Sequence, residues 1–221
     1  MIEDRIHVYL MPGMAASPLI FEHIKLPENK FKIHLLEWFI PHDNESISDY
    51  ALRMCAHIKH DNIVLLGVSF GGVLVQEISK HINLRKLIIV SSVKSMHELP
   101  KHMLIAKATK VYKLVPTQLA SNIDVLEKYA FGDLVSKRIE LYKKYLSVND
   151  SRYLNWAIKN MVCWNQEKHD SKIIHIHGDN DSVFPIKNIE NCIVLKNGTH
   201  IAIINKYKWF NENLPRLILE D

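Results

Sequence analysis

Residues 67–71 read Gly67-Val68-Ser69-Phe70-Gly71, which is a G-x-S-x-G pattern. An apolar run at 62–66 precedes the pattern, and a helix-like run at 72–80 follows it. A serine at such a strand-to-helix junction is typical of a nucleophile elbow, in which a sharp turn lifts the hydroxyl above the sheet. The stretch therefore predicts a strand–turn–helix unit with Ser69 as a candidate nucleophile.

Apolar runs rich in β-branched residues recur along the chain and alternate with amphipathic segments. Their hydrophobicity is continuous rather than alternating, which is typical of strands buried on both faces of a parallel sheet. The predicted strands lie at residues 5–11, 32–36, 62–66, 85–91, 172–177 and 191–195, and the predicted helices at 48–60, 73–81 and 201–213. This alternation predicts an α/β fold: a mostly parallel six-stranded sheet with helices on both faces and right-handed crossovers.

Residues 94–167 break the alternation, because they contain no convincing strand. Three or four helices are predicted there, at 97–114, 116–129, 134–147 and 152–164. A helical insert after the fourth strand is expected at the carboxyl edge of the sheet, so we predict a lid. The alternative is a helical subdomain that only adds stability. The predicted domains are a core of residues 1–93 and 168–221 and a lid of residues 94–167.

A serine needs a base within hydrogen-bond reach, and the base needs a carboxylate that orients it. The loop after the fifth predicted strand contains two aspartates, Asp179 and Asp181. Asp181 is preferred because it lies further into the loop and can turn toward a neighbouring loop. Asp179 is expected to brace the turn through backbone amides. Both can also be turn formers, and Glu98 is a weaker alternative acid.

The base candidate is His200, although 13 histidines make the residue type alone uninformative. His200 follows Gly198 after the last predicted strand and precedes an apolar helix. His177 competes with it, but is expected to end its strand and steady the acid loop. Most other histidines are interpreted as surface helix residues, among them His23, His57, His60 and His81.

The loop after the first predicted strand carries the sequence Met11-Pro12-Gly13-Met14. An acyl-transfer intermediate develops a negative oxygen, which backbone amides can stabilise. The amides of Met14 and Phe70 are predicted to form this oxyanion hole. The loop has neither G-x-G-x-x-G nor a Walker lysine, so a nucleotide site is not expected.

Together these segments resemble the α/β-hydrolase superfamily in a small, lidded version. The resemblance rests on residues 12–14, 67–72, 178–185 and 198–200 and covers most of the chain outside the predicted lid. It implies that Ser69 is the nucleophile, His200 the base and Asp181 the acid, with Met14 and Phe70 as the oxyanion donors. The family spacing of a glycine, two residues and then the acid favours Asp181 over Asp179.

The chain also departs from the usual family pattern at three points. Met11-Pro12-Gly13 stands where many relatives have His-Gly, and Glu37-Trp38-Phe39-Ile40-Pro41 stands where many have an aspartate-led glycine turn. The antiparallel strands that usually open the fold have no counterpart before the first predicted strand. A serine at the nucleophile position argues against haloalkane dehalogenase and epoxide hydrolase chemistry, which uses aspartate there.

The expected function is that of a serine hydrolase acting on a carboxylic ester or thioester through an acyl-enzyme, with no metal or organic cofactor. The alternatives are an acyl-thioesterase for a carrier-bound substrate, a non-catalytic small-ligand receptor, and a lyase or perhydrolase. Lysines of the lid could face an acidic carrier: Lys101, Lys107 and Lys110. Apolar lid residues form either an acyl pocket or the lid core: Met103, Leu104, Tyr112, Trp156 and Trp164.

Composition argues against several other classes of protein. The net charge of +4 comes from scattered basic residues, so no nucleic-acid partner is expected. Three separated cysteines without a C-x-x-C predict a reducing compartment and argue against a disulfide framework or a zinc site. No segment is apolar enough to span a membrane, and the acidic start does not resemble a signal peptide. A cytoplasmic location is therefore expected, and the oligomeric state is left open.

Overall fold

The computed structural model describes residues 5–115, 117, 144–146 and 148–220. Within these residues, six strands form one sheet in which every neighbouring pair is parallel. The strands are β1 (Ile6–Met11), β2 (Phe31–Leu35), β3 (Ile63–Val68), β4 (Lys86–Val90), β5 (Ile174–Gly178) and β6 (Ile193–Leu195). The predicted parallel six-stranded sheet is confirmed, and each strand limit lies within one or two residues of its predicted position.

Helices cover both faces of this sheet, as predicted. They are α1 (Ile47–Cys55), α2 (Phe70–Ile78), α3 (Lys101–Thr109), α4 (Ser151–Cys163), α5 (Ala202–Asn205) and α6 (Tyr207–Leu219). Short 3-10 turns lie at Pro18–Phe21, Met96–Glu98, Val111–Leu114 and Ile186–Asn188. Among the described residues, no helix has both the length and the apolar character that crossing a bilayer requires.

Two hydrophobic cores explain the continuous apolar runs in the sequence. Successive strand residues point to opposite faces of a sheet. In β1, Tyr9 and Met11 join the core formed with α1, α2 and α4, whereas Val8 and Leu10 join the core formed with α6. Residues 8–11 of β1 are therefore all buried, which removes the polar alternation of a half-exposed strand.

The helix limits differ more from the predictions than the strand limits do. Residues 97–114 do not form one helix, because Pro100 precedes α3 and Lys110 adopts a left-handed conformation with φ of 58° after it. The predicted helix at 201–213 is divided at Lys206, and its second part continues past Pro215 to Leu219. The helix predicted at 152–164 is α4, which Asp150 caps at Arg152 and Tyr153. The helices predicted at 116–129 and 134–147 lie almost entirely outside the described residues.

The strand order β2-β1-β3-β4-β5-β6 reverses direction between β1 and β3. In an open parallel sheet, ligands bind in the crevice that such a reversal leaves at the carboxyl ends of the strands. The loop after β1 and the Ser69 turn after β3 lie at this crevice, and the loops after β5 and β6 lie along the same edge. The topology thus gathers the four predicted site segments at one edge.

Two glycines allow these loops to meet closely. A methyl group on Gly71 would lie 2.3 Å from the carbonyl oxygen of Pro12, which is impossibly close. A methyl group on Gly178 would lie 2.3 Å from the carbonyl oxygen of Gly198. Only glycine permits these two approaches. The first brings the Ser69 turn against the loop after β1, and the second brings the Asp181 loop against the His200 loop.

Candidate active site

Ser69 occupies a strained turn between β3 and α2. Its φ of 54° and ψ of −122° are rare for a residue with a side chain. The Ser69 amide donates to Val90 O at 2.9 Å, and the Ser69 carbonyl accepts from Gly72 N at 2.9 Å and from Ser92 Oγ at 2.7 Å. These bonds hold the turn, and the Ser69 hydroxyl makes no capping bond to α2. Such strain is found where a fold fixes a functional side chain.

His200 lies between the Ser69 hydroxyl and the Asp181 carboxylate. Its Nε2 is 2.9 Å from Ser69 Oγ, and its Nδ1 is 2.9 Å from Asp181 Oδ2. A carboxylate can only accept, so Nδ1 carries the proton and donates it to Asp181. Nε2 is then unprotonated and accepts a hydrogen bond from Ser69. The structure thus brings together the three residues predicted from separate loops.

Asp181 is buried and rigidly held. Its Oδ1 accepts from the amides of Val183 at 2.8 Å and Phe184 at 2.9 Å. Burial by itself raises the pKa of Asp181, but His200 and the Phe184 amide outweigh burial and lower that pKa below its ordinary value. The carboxylate therefore stays ionised beside His200 at neutral pH.

The bracing role predicted for Asp179 was wrong. Asp179 Oδ1 is buried and has no hydrogen-bond partner within the described part of the chain. Asp181 makes the amide contacts that hold the loop instead. Glu98, the weaker alternative acid, binds the amides of Lys94 and Glu190 and thereby joins the segment after β4 to the segment before β6.

Two buried histidines of β5 form a chain of contacts that starts at Asp181. His177 Nε2 is 2.8 Å from the carbonyl oxygen of Phe184 and 3.4 Å from Asp181 Oδ2. His177 Nδ1 is 3.1 Å from His175 Nε2. His175 was not predicted as a site residue from the sequence, although the spacing His175-x-His177 on a strand places both rings on one face.

These two histidines make folding stability sensitive to acid. Burial, reinforced by His177 and Lys94, lowers the pKa of His175 to about 2, and burial also lowers the pKa of His177. Below about pH 6.5, these two histidines bind protons in the unfolded chain but stay neutral in the folded chain. The free energy of unfolding therefore falls as pH falls, by about 1.4 kcal/mol per pH unit for each such proton. Urea unfolding from pH 7 to pH 4 should show this loss, with a smaller slope in His175→Leu.

The matched control is His81→Leu, because His81 is exposed on a turn after α2. This variant should keep the pH slope of the wild-type protein. Equal slopes for the wild-type protein and His175→Leu would contradict the assignment of the acid sensitivity to the buried ring.

The loop after β1 is held against Ser69 by two aromatic side chains. Gly13 O accepts from Ala16 N at 3.1 Å and from Trp38 Nε1 at 2.7 Å, and Tyr153 OH accepts from Ala15 N at 3.1 Å. A methyl group on Gly13 would lie 3.5 Å from Ser69 Cβ, so this loop borders the serine directly.

Met14 and Phe70, the predicted oxyanion donors, flank Ser69 on this loop and at the start of α2. Neither backbone amide has an acceptor among the described residues. Phe70 N also lies at the helix N-terminus, where the helix dipole favours negative charge. Trp38 and Tyr153 were not predicted as supports from the sequence, although Trp38 lies in the segment that departs from the family pattern. In the structure, the Trp38 ring stacks on the Phe70 ring with centroids 5.2 Å apart.

Two apolar cavities lie beside this site. A cavity of about 90 Å³ borders Ser69 and His200, and a cavity of about 370 Å³ lies between α3 and α4. Met14, Met103 and Met161 line both cavities. Of the predicted pocket residues, Met103 and Tyr112 line these cavities, whereas Leu104 lines neither and is exposed on α3. Trp156 and Trp164 are buried in the core and donate to Glu45 O and Glu77 Oε1.

Comparisons with known proteins gave no match to any family model and no match among curated proteins. Solved structures, in contrast, match over nearly the whole chain. A bromoperoxidase from Bacillus anthracis has a TM-score of 0.73 at 19% identity, with 98% of this chain and 92% of that chain covered. A hydrolase from Oleispira antarctica has a TM-score of 0.71 at 13% identity, with 98% and 92% covered.

A carboxylesterase from the thaumarchaeon Nitrososphaera gargenis is a third neighbour. It has a TM-score of 0.68 at 16% identity, and the match covers 97% of this chain and 90% of that chain. These identities are too low to transfer an activity, but the backbone agreement is extensive. The chain has the α/β-hydrolase fold.

Proposed function

We propose that this protein is a serine hydrolase that cleaves a carboxylic ester or thioester through an acyl-enzyme. The observation that carries the proposal is the continuous hydrogen-bonded chain from Ser69 Oγ through His200 to Asp181, with both links at 2.9 Å. Three such groups in this geometry activate a serine on unrelated folds, so the geometry supports the role more strongly than the fold does. Structural neighbours that are esterases and lipases agree with a hydrolase of esters.

In the proposed first step, Ser69 Oγ attacks the acyl carbon while its proton passes to His200 Nε2. The imidazolium that forms is stabilised by the ionised Asp181. The Met14 and Phe70 amides donate to the developing oxyanion, and removal of one such donor typically costs about 3 kcal/mol of barrier. The alcohol or thiol then leaves with the proton from Nε2, and the acyl group stays on Ser69.

The second half of the reaction uses the same residues, with water as the nucleophile and Ser69 Oγ as the leaving group. Water gives a proton to His200 Nε2 and attacks the Ser69 acyl ester, again with the Met14 and Phe70 amides at the oxyanion. Collapse of this intermediate releases the acid and returns the proton to Ser69. Each half-reaction balances without a metal or an organic cofactor.

The side chains that line the cavities favour an apolar acyl group. The cavity that borders Ser69 is small, and its walls are mostly methionine, isoleucine, valine and phenylalanine side chains. Met103 of α3 and Met161 of α4 belong to the segment 94–167, which we propose acts as a lid over the acyl group. Unbranched methionine side chains can adjust to acyl groups of different shape.

The test is a pre-steady-state assay with p-nitrophenyl esters from acetate to octanoate and with matched acyl thioesters. An acyl-enzyme predicts a burst of about one p-nitrophenol per protein molecule, followed by slower turnover. The chain-length series shows which acyl length the protein prefers. Comparison of esters with matched thioesters shows whether it prefers an alcohol or a thiol as the leaving group. Tight binding of these compounds by folded protein without any turnover would contradict the proposal and favour a receptor.

A further inference from the structure

Three histidines from distant parts of the sequence meet outside the Ser69 site. His7 lies on β1, His34 on β2 and His60 in the segment before β3. Strand register pairs His7 with Lys32 and Tyr9 with His34, so His7 and His34 share the sheet face that α1 covers. The prediction that His60 is a surface helix residue was wrong, because α1 ends at Cys55 and the His60 ring is half-buried against the sheet.

The nitrogen atoms of these rings are close enough to bind one ion. One ring nitrogen from each of His7, His34 and His60 lies within 4.8 Å of the other two. His7 Nδ1 and His34 Nε2 are 2.9 Å apart, and the His7 and His60 rings stack with centroids 3.8 Å apart. In a tetrahedral zinc site with Zn–N bonds of about 2.0–2.1 Å, ligand nitrogens are about 3.3 Å apart. The nitrogens already lie near this spacing, and binding would require the stacked His7 and His60 rings to tilt so that both lone pairs point at one ion.

We propose that His7, His34 and His60 bind one divalent first-row transition-metal ion, with zinc as the natural occupant. Imidazole nitrogens suit Zn²⁺, and three of them leave a fourth position for water. The cysteine pattern of the sequence argued against a zinc site, but it does not bear on this cluster, which contains no cysteine.

Tyr9 orients two of the three ligands. Its hydroxyl lies 2.6 Å from His60 Nδ1 and accepts from the Lys59 amide at 3.2 Å. A His60 ring that donates from Nδ1 to this hydroxyl keeps Nε2 unprotonated and able to bind a metal. The Tyr9 ring also stacks on His34 with centroids 4.5 Å apart. Hydrogen bonds of this kind to the second ring nitrogen fix the orientation of metal-binding histidines in known sites.

The histidine cluster is open to a cleft through which an ion can enter, and His7 lies far from Ser69. A cleft of about 800 Å³ contains His34 and His60 in its wall. His7 pairs in register with Ile63 at the start of β3, and Ser69 follows the far end of that strand. Six residues of strand span about 20 Å. The ion would join the edge strand β2, β1 and the segment before β3, so we assign it a stabilising role.

The test uses untagged, chelator-treated full-length protein and titrates it with Zn²⁺ by calorimetry and with Co²⁺ by absorption. One Zn²⁺ per chain should bind, and Co²⁺ should give the visible bands of a tetrahedral nitrogen site. At a hundredfold excess over Kd, Zn²⁺ should raise the melting temperature by about 5 °C or more. His34→Ala should weaken Zn²⁺ binding at least about 100-fold and abolish the Co²⁺ bands.

The matched control is His57→Ala, because His57 is exposed and lines the same cleft without belonging to the cluster. It should bind Zn²⁺ as the wild-type protein does. Wild-type protein without tetrahedral Co²⁺ bands, or undiminished Zn²⁺ binding in His34→Ala, would overturn the proposal. The wild-type Co²⁺ spectrum tests the proposal even if a variant fails to fold. None of these measurements depends on hydrolytic activity.

Discussion

Replacing Ser69 with alanine is expected to lower kcat/KM for an ester substrate by a factor of about 10⁴ to 10⁶. The hydroxyl lies 2.9 Å from His200 Nε2 and is the proposed attacking group, so its loss removes the acyl-enzyme route altogether. Residual hydrolysis would come from water attack at a site that retains the Met14 and Phe70 amides. The measurement is steady-state hydrolysis of the best p-nitrophenyl ester, together with loss of the burst.

The strained Ser69 turn makes folding an essential check on this result. Alanine lacks the hydroxyl but keeps Cβ, and the backbone bonds to Val90, Gly72 and Ser92 do not involve the hydroxyl. Melting temperature should therefore change little. Ser79→Ala, at the other end of α2, is the matched control and should retain full activity. Substantial activity in Ser69→Ala would contradict the proposed nucleophile.

Asp181→Asn is expected to lower kcat by a factor of about 10⁴ with little change in KM. The asparagine oxygen can still accept the amides of Val183 and Phe184, which directs its NH₂ group toward His200 Nδ1. His200 must then accept at Nδ1 and carry its proton on Nε2. That tautomer cannot take the proton of Ser69, so the geometry survives while the base is lost. The measurement is steady-state kinetics near neutral pH.

The control for this variant is Asp179→Asn, which separates the two aspartates that sequence reasoning weighed. Within the described residues, no hydrogen bond or ion pair joins Asp179 to His200 or Ser69, so its variant should keep activity within a few-fold of the wild-type protein. A larger loss in Asp179→Asn than in Asp181→Asn would contradict the assignment of the acid. The pKa of Asp181 is lowered, so protonation of this carboxylate should not limit wild-type activity at any pH above the ordinary pKa of an aspartate.

The sheet and the loops at its edge were predictable because their signals are local. A parallel strand such as β3 is buried on both faces, and its run of apolar residues is visible without knowledge of its neighbours. Chain order then places the G-x-S-x-G turn after β3, Asp181 after β5 and His200 after β6. Parallel topology brings such loops to one edge, so their meeting follows from the sequence pattern and the sheet together.

The features that were missed depend on contacts between distant residues. Tyr153 and Trp38 support the loop after β1 from other segments, and nothing in their local sequence signals an Ala15 or Gly13 partner. The histidine cluster depends on the register of β2 against β1, which a sequence pattern does not fix to the residue. The division of the last helix at Lys206 is likewise a matter of tertiary packing, which overrides local helix preference.

Labelling with a fluorophosphonate probe, followed by peptide mapping, tests the central claim most directly. An activated serine attacks the phosphorus, loses its proton to His200 and displaces fluoride, so the adduct should form on Ser69. Labelling should be stoichiometric, should stop turnover of the ester, and should be absent in Ser69→Ala. Folded wild-type protein that stays unlabelled at Ser69 while it hydrolyses esters would contradict the account.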